Sequence, residues 1–247
     1  MSLWKEWAGG CVELIFPGRC SCCRVGYTGK GQVICAGCLS LIPYLQSPLC
    51  CCCGRELPDS SGGDHLCGVC LRKPPVYSRA RAVVRYEEPV SHLLHCLKYA
   101  ADTSTLPALA QVIAPFALHL AQEFQPEADR IVPVPLFPGR LKKRGLNQSL
   151  LLARIFFPQA GAALLVDGMS RTRDTPPQTT LDGDARRKNL KAAFTVRNPA
   201  AVCGRRIFLV DDVLTTGTTV TECGRALLAA GALEIRVVTV ARVAEYR

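Results

Sequence analysis

Residues 207–219 read IFLVDDVLTTGTT. The first four are apolar and mostly β-branched or aromatic, as in a strand covered on both faces of a parallel sheet. Sheets of that kind gather ligands beyond the carboxyl ends of their strands. Asp211 and Asp212 stand at that edge, where carboxylates can accept hydrogen bonds from vicinal sugar hydroxyls or help hold a hydrated divalent cation. Thr215, Thr216, Gly217, Thr218 and Thr219 follow. They offer hydroxyls and backbone N–H groups at the start of the next helix, a position that favours a phosphate, and Gly217 permits a tight turn. An Asp-Asp pair alone reads equally well as a strand end before a capped helix. The full order of apolar flank, paired acids and threonines around one glycine points to a site for a phosphorylated ribose.

Outward from this string the pattern alternates. Residues 219–230 have helical character, Gly231 suits a C-terminal cap, and 234–243 form a returning strand. Upstream, 79–86 alternate like a strand, and Val90, Leu93, Leu94 and Leu97 keep helical spacing with Lys98 at the helix end. A longer helix over 106–124 is disturbed at Pro115; a short strand over 130–134 and a helix over 150–157 follow. The expected fold class is α/β, an open doubly wound parallel sheet. Between strand and helix, Arg140, Lys142, Lys143 and Arg144 surround Gly145, either as an anion pocket at a strand end or as a solvated basic loop. Asn147 and Gln148 can cap the next helix or touch ligand, with capping favoured for Asn147. Residues 175–180 read as a lid; Arg186, Arg187, Lys188 and Lys191 suit a short basic helix or a solvated face. His92 and His95 have no metal-ligand company and read as surface or packing residues.

Twelve of the fifteen cysteines lie in the first 70 residues. Four pairs carry the two-residue spacer that lets one turn present two thiolates to a tetrahedral Zn²⁺: Cys20 with Cys23, Cys35 with Cys38, Cys50 with Cys53, and Cys67 with Cys70. Such a module has few large apolar residues, so one or two structural zinc ions would supply much of its folding free energy. Gly54 and Gly68 suit sharp knuckle turns, whereas Arg24 stands where a glycine is expected. Cys22, Cys51 and Cys52 remain as spare thiols, which leaves the ligand frame open.

The net charge of +10 is concentrated: residues 130–191 hold twelve Lys or Arg against four Asp. That excess suits a pyrophosphate ligand, a nucleic-acid backbone, or both. No membrane span is expected, and residues 2–16 read as a short amphipathic helix and not as a leader. Thiols in this number without a leader suit a reducing, cytoplasmic setting. Lys73, Pro74 and Pro75 place a boundary between a cysteine-rich part, 1–76, and an α/β part, 77–247.

The cysteine pairs, YEEPVSHLLHCLKYAAD, VPVPLFPGRLKKRGLNQSLLLA, RTRDTPPQTTLDGDARRKNLKAAF and VDDVLTTGTT together resemble the ComF family (ComFC, also called GntX-like). In that family a double zinc ribbon precedes a type I phosphoribosyltransferase-like domain. The resemblance implies that phosphoribosyl pyrophosphate (PRPP) binds with Mg²⁺. Asp211 and Asp212 would then serve catalysis, Thr215 to Thr219 the 5′-phosphate, and Arg140, Lys142, Lys143, Arg144 and Lys98 the pyrophosphate. A flexible loop would include Arg171, Gln178 and Arg186. It also implies a link to natural transformation, with single-stranded DNA and a DNA helicase as partners. The rival reading is a non-catalytic module that senses PRPP or a nucleotide, or binds single-stranded DNA.

Overall fold

The computed structural model describes residues 18–26, 28, 31–58, 62–173 and 193–244. The expected N-terminal helix, the 175–180 lid with Gln178, and the basic run with Arg186, Arg187, Lys188 and Lys191 lie outside them. In chain order the described elements are α1 (Ala36–Ser40), α2 (Gly68–Arg72), β1 (Arg79–Arg85), α3 (Val90–Tyr99), α4 (Leu106–Glu123), β2 (Asp129–Pro133), α5 (Pro138–Arg144) and α6 (Gln148–Phe156). They continue with β3 (Met169–Arg171), β4 (Phe194–Val196), α7 (Pro199–Val202), β5 (Arg206–Leu214), α8 (Thr218–Ala229) and β6 (Glu234–Arg242).

Four strands form one sheet in the order β1-β6-β5-β2, every neighbour parallel. Along β5 the side chains alternate between two cores. Phe208 and Val210 pack with α3, α4 and α6, whereas Ile207 and Leu209 pack with α8 and the antiparallel β3–β4 pair. Ile207, Phe208 and Leu209 are fully buried, each a burial that stabilises by about 1.5–3 kcal/mol. Helices on both faces make the sheet doubly wound, as the alternation predicted. At the opposite end from the acids, buried Asp129 pairs with Arg206 at 2.6 Å and clamps the starts of β2 and β5.

Two elements differ from the sequence reading. The basic stretch forms a helix, α5, because Pro138 occupies its first turn and Gly145, at φ 75°, ends it in the left-handed conformation. Pro115 does not interrupt α4. With the preceding turn, Thr103–Glu123 is long and apolar enough to cross a membrane by length and composition, at hydropathy 1.4. Here Ala108, Leu109, Val112 and Ile113 of that helix are buried in the core beneath the sheet.

The cysteine-rich part wraps the β1 edge. Leu45 N–H donates to the Val83 carbonyl and Arg85 N–H to the Pro43 carbonyl, so residues 43–45 run antiparallel beside β1. Ala80 N–H donates to Cys52. These bonds satisfy a strand edge that would otherwise present unpaired groups.

Candidate functional site

β2 pairs with β5 only as far as Pro133 opposite Val210, while β6 follows β5 to Leu214. The sheet therefore opens beside Asp211 and Asp212, and the start of α6 borders that opening. Asn147 caps α6, its Oδ1 accepting from Ser149 N–H at 3.0 Å, and its amide donates to the Val134 carbonyl. The expected capping role is thus observed. That anchoring aims the next two side chains at the acids: Ser149 Oγ donates to Asp211 at 3.0 Å, and Gln148 Nε2 reaches Asp212 at 3.5 Å. Lys98, at the end of α3, places its Nζ 3.1 Å from Asp212.

Burial and the neighbouring Asp212 carboxylate push Asp211 up to about 7, against the pull of Lys98 and Ser149. Burial pushes Lys98 down, but Asp212 and Asp211 outweigh it and hold the ammonium above its usual range. Beyond the acids the chain turns through Gly217, at φ 72°, into α8. Thr216 and Thr218 hydroxyls lie 2.9 Å apart on this turn, and Thr215 and Thr216 are exposed.

Of the α5 cations, Arg144 reaches the acids indirectly. It donates to Gln148 Oε1 at 3.4 Å and lies over the Tyr99 ring at 5.5 Å. Arg140, Lys142 and Lys143 share the same short helix, with both lysines exposed. Arg171 is buried at the end of β3, over the Phe194 ring. Burial and Asp211 push the Cys223 thiol up while Arg171 opposes, which sets both charges around the inner side of α8. Ser149 is the participant that sequence reasoning missed; its signal is its place two residues after a capping Asn.

The eight paired cysteines form two groups, Cys20, Cys23, Cys35 and Cys38, and Cys50, Cys53, Cys67 and Cys70, with all sulfurs of a group within 4.8 Å of one another. Cys23 and Cys35 sulfurs are 3.9 Å apart, Cys53 and Cys67 sulfurs 3.8 Å. Four thiolates about 2.3 Å from a tetrahedral zinc are about 3.8 Å apart, so both groups fit that ion with no open position. Burial opposes ionisation at Cys20 and Cys50, yet backbone N–H donors bring both down to about 6. Spare Cys22 is pushed up to about 12 by burial, and spare Cys52 donates to the Tyr77 carbonyl. His92 and His95 are exposed and belong to neither group.

A profile described as "Phosphoribosyl transferase domain" matches residues 114–247. "DNA utilization protein YhgH" of Escherichia coli (strain K12) is 37% identical over 226 residues, covering 91% of this chain and 96% of that protein. "Competence protein F" of Haemophilus influenzae is 34% identical, over 92% and 98%. The chain belongs to the ComF family of phosphoribosyl transferase domain proteins. Within that family, "Competence protein ComFC" of Bacillus subtilis is 24% identical over 81% of this chain and 80% of its own length. The ComF pairing of a cysteine ribbon with an α/β domain is the arrangement described above.

Proposed function

We propose that this ComF protein binds PRPP at the opening beside β5 and transfers its phosphoribosyl group to a nucleophile. The observation that carries this reading is the paired acid, held by Ser149, Gln148 and Lys98 and followed directly by the threonine turn at the start of α8. As the bond from ribose C1 to pyrophosphate breaks, its electron pair leaves with the pyrophosphate and positive charge grows on the sugar. Asp211 and Asp212 favour that charge, while the α5 cations and the Lys98 ammonium receive the leaving group. The nucleophile's lone pair forms the new bond to C1, and Asp211, near neutrality in its titration, accepts the proton released. Asp211 and Asp212 are the residues that would hold a Mg²⁺, which would supply further charge neutralisation.

The test is calorimetry with PRPP, with and without Mg²⁺, on the wild type and on Asp211→Asn with Asp212→Asn. The double variant should lose PRPP binding and stay folded; unchanged affinity would end this reading. A second reading, a PRPP-sensing or single-stranded-DNA-binding module without transfer, is supported by the basic excess over residues 130–191 and by the relatives' names. A cytoplasmic setting and a helicase partner in DNA uptake go with it. Pyrophosphate release in a screen of bases and oligonucleotides favours the enzyme. Salt-dependent DNA binding without release favours the module.

A further inference from the structure

Two residues other than glycine have positive φ among the described residues, Arg24 at 59° and Ala101 at 51°. Both border one cavity of about 320 Å³ between the first cysteine knuckle and α3: Arg24 lines it, and Ala101 precedes Asp102, which also lines it. Arg19, Ser21, His92, Ser104 and Thr105 also line it, with the Cys20 and Cys96 thiols. Asp102 is the only acid there, and it already accepts from Ser104 N–H at 3.0 Å. The hydroxyl and N–H of Ser104, and more weakly the Arg24 guanidinium, hold the Asp102 carboxyl below its usual range, so Arg24 faces this acid, although among the described residues neither Arg19 nor Arg24 forms a close ion pair. Arg24 serves the knuckle through its backbone, its N–H donating to the Cys20 carbonyl at 2.9 Å.

The equivalent knuckle of the other cluster, Cys50 to Cys53, shows that this backbone task needs no side chain. There Gly54, at φ 70°, donates to the Cys50 carbonyl at the same 2.9 Å. Glycine adopts that conformation freely and arginine does not. Strained backbone of this kind gathers where a site needs it. An arginine held there against the local preference, beside a second guanidinium, an imidazole and the Ser21 hydroxyl, gives the cavity two cations against one acid and makes an oxyanion receptor.

We propose that this cavity binds the phosphate group of a nucleotide, as a second site separate from the acidic opening by β5. The proposal does not rest on PRPP binding. His92 precedes Lys98 by six residues on α3, about 9 Å along the helix, so the two sites share an element but not their ligating residues.

The experiment titrates zinc-loaded full-length protein with inorganic phosphate, thymidine 5′-monophosphate and an oligothymidylate. Arg24→Gly should weaken binding of at least one of these phosphate probes by about fivefold or more. Its zinc content should not change and its PRPP response should stay within about twofold. Arg24→Lys should retain most of the affinity. Arg19→Ala, at an exposed side chain, should weaken the same probe without altering the knuckle backbone. Preference for the monophosphate identifies a free nucleotide. Preference for the oligonucleotide, with a salt slope reduced by about 0.7 in Arg24→Gly, identifies a strand. Wild type and Arg24→Gly binding all three probes alike, or no probe binding to the wild type, would overturn the proposal.

Discussion

In both cysteine clusters a Cys-x-x-Cys turn is closed by the N–H of the next residue, Arg24 or Gly54, and a five-residue helix begins just after the third cysteine. Their surroundings part company. Cys50, Cys53, Cys67 and Cys70 are all buried in the core that holds α8, Ile207 and Leu209. Arg242 donates to the Cys53 carbonyl at 2.7 Å, and Arg81 to those of Cys50 and Cys51. In the other cluster only Cys20 and Cys38 are buried, and Cys23 is exposed. Its tie to the α/β part includes Gln111, whose side chain accepts from Val33 and Ile34 N–H on the opposite face of the sheet. One cluster is thus wholly enclosed in its core; its twin gives Cys20 and Cys38 to the other core and stands at the rim, with Cys23 at the surface.

The largest expected effect follows from that seating. Cys53→Ser should leave the protein largely insoluble or lower its Tm by about 10 °C or more, since a lost buried ligand also frees a metal that supplies folding free energy. Cys23→Ser should give soluble protein carrying one zinc in place of two, by metal analysis. The effects on the ligand edge should differ as well. Tyr77 packs in the second cluster's core, and its hydroxyl lies 3.8 Å from where a Cβ on Gly217 would sit. Any soluble Cys53→Ser should therefore lose PRPP affinity, whereas Cys23→Ser should keep it within about threefold. Equal behaviour of the two variants would break the comparison.

Gly54→Ala comes next. A Cβ there would run into the Ala80 carbonyl oxygen, in a backbone conformation that L residues avoid. A cost of about 2–4 kcal/mol is expected in urea unfolding, combining left-handed strain with forced displacement of β1. A cost below about 1 kcal/mol would mean that the knuckle is less firmly set into the sheet than its hydrogen bonds imply.

These contrasts also mark what the sequence could convey. Cysteine spacing, the β5 string and the helix after it were legible because each is a local pattern with one chemical use. The burial of one cluster and exposure of the other was not, since both have the same two-residue spacers and the difference lies in β1 and β6 residues far along the chain. Helix α5 was missed because four cations in seven residues read as a loop; Pro138 and Gly145 were the boundary signals. The hold of Ser149 on Asp211 joins residues 62 apart and leaves no local trace.

A smaller effect is expected at the edge that the second cluster supports. Asp211 titrates near 7 in the fold against an ordinary 3.8, so its neutral form suits the folded state. Stability from this group is complete below its unfolded value and is lost as pH rises through about 7. Asp211→Asn should therefore gain Tm relative to the wild type between about pH 5 and pH 8, while losing ligand binding. A gain that shrinks with rising pH would place the carboxylate in a better-solvated setting than its burial indicates.

The smallest effect should have the opposite sign from that at Gly54. At position 24 the backbone is left-handed and the side chain meets a cavity in place of a strand. Arg24→Gly removes a left-handed residue with a Cβ, worth about 1 kcal/mol, and adds chain entropy to the unfolded state, which takes back about half or more. The net change in unfolding free energy should lie between zero and about +0.5 kcal/mol. Urea unfolding of zinc-loaded protein with a chelator-free baseline resolves that range when Arg24→Ala is measured beside it. Alanine keeps the strain but not the guanidinium, so it should be no more stable than the wild type. Should Arg24→Gly destabilise by about 1 kcal/mol or more, with Arg24→Ala alike, the arginine serves the fold. The rim knuckle would then differ from its twin in burial alone.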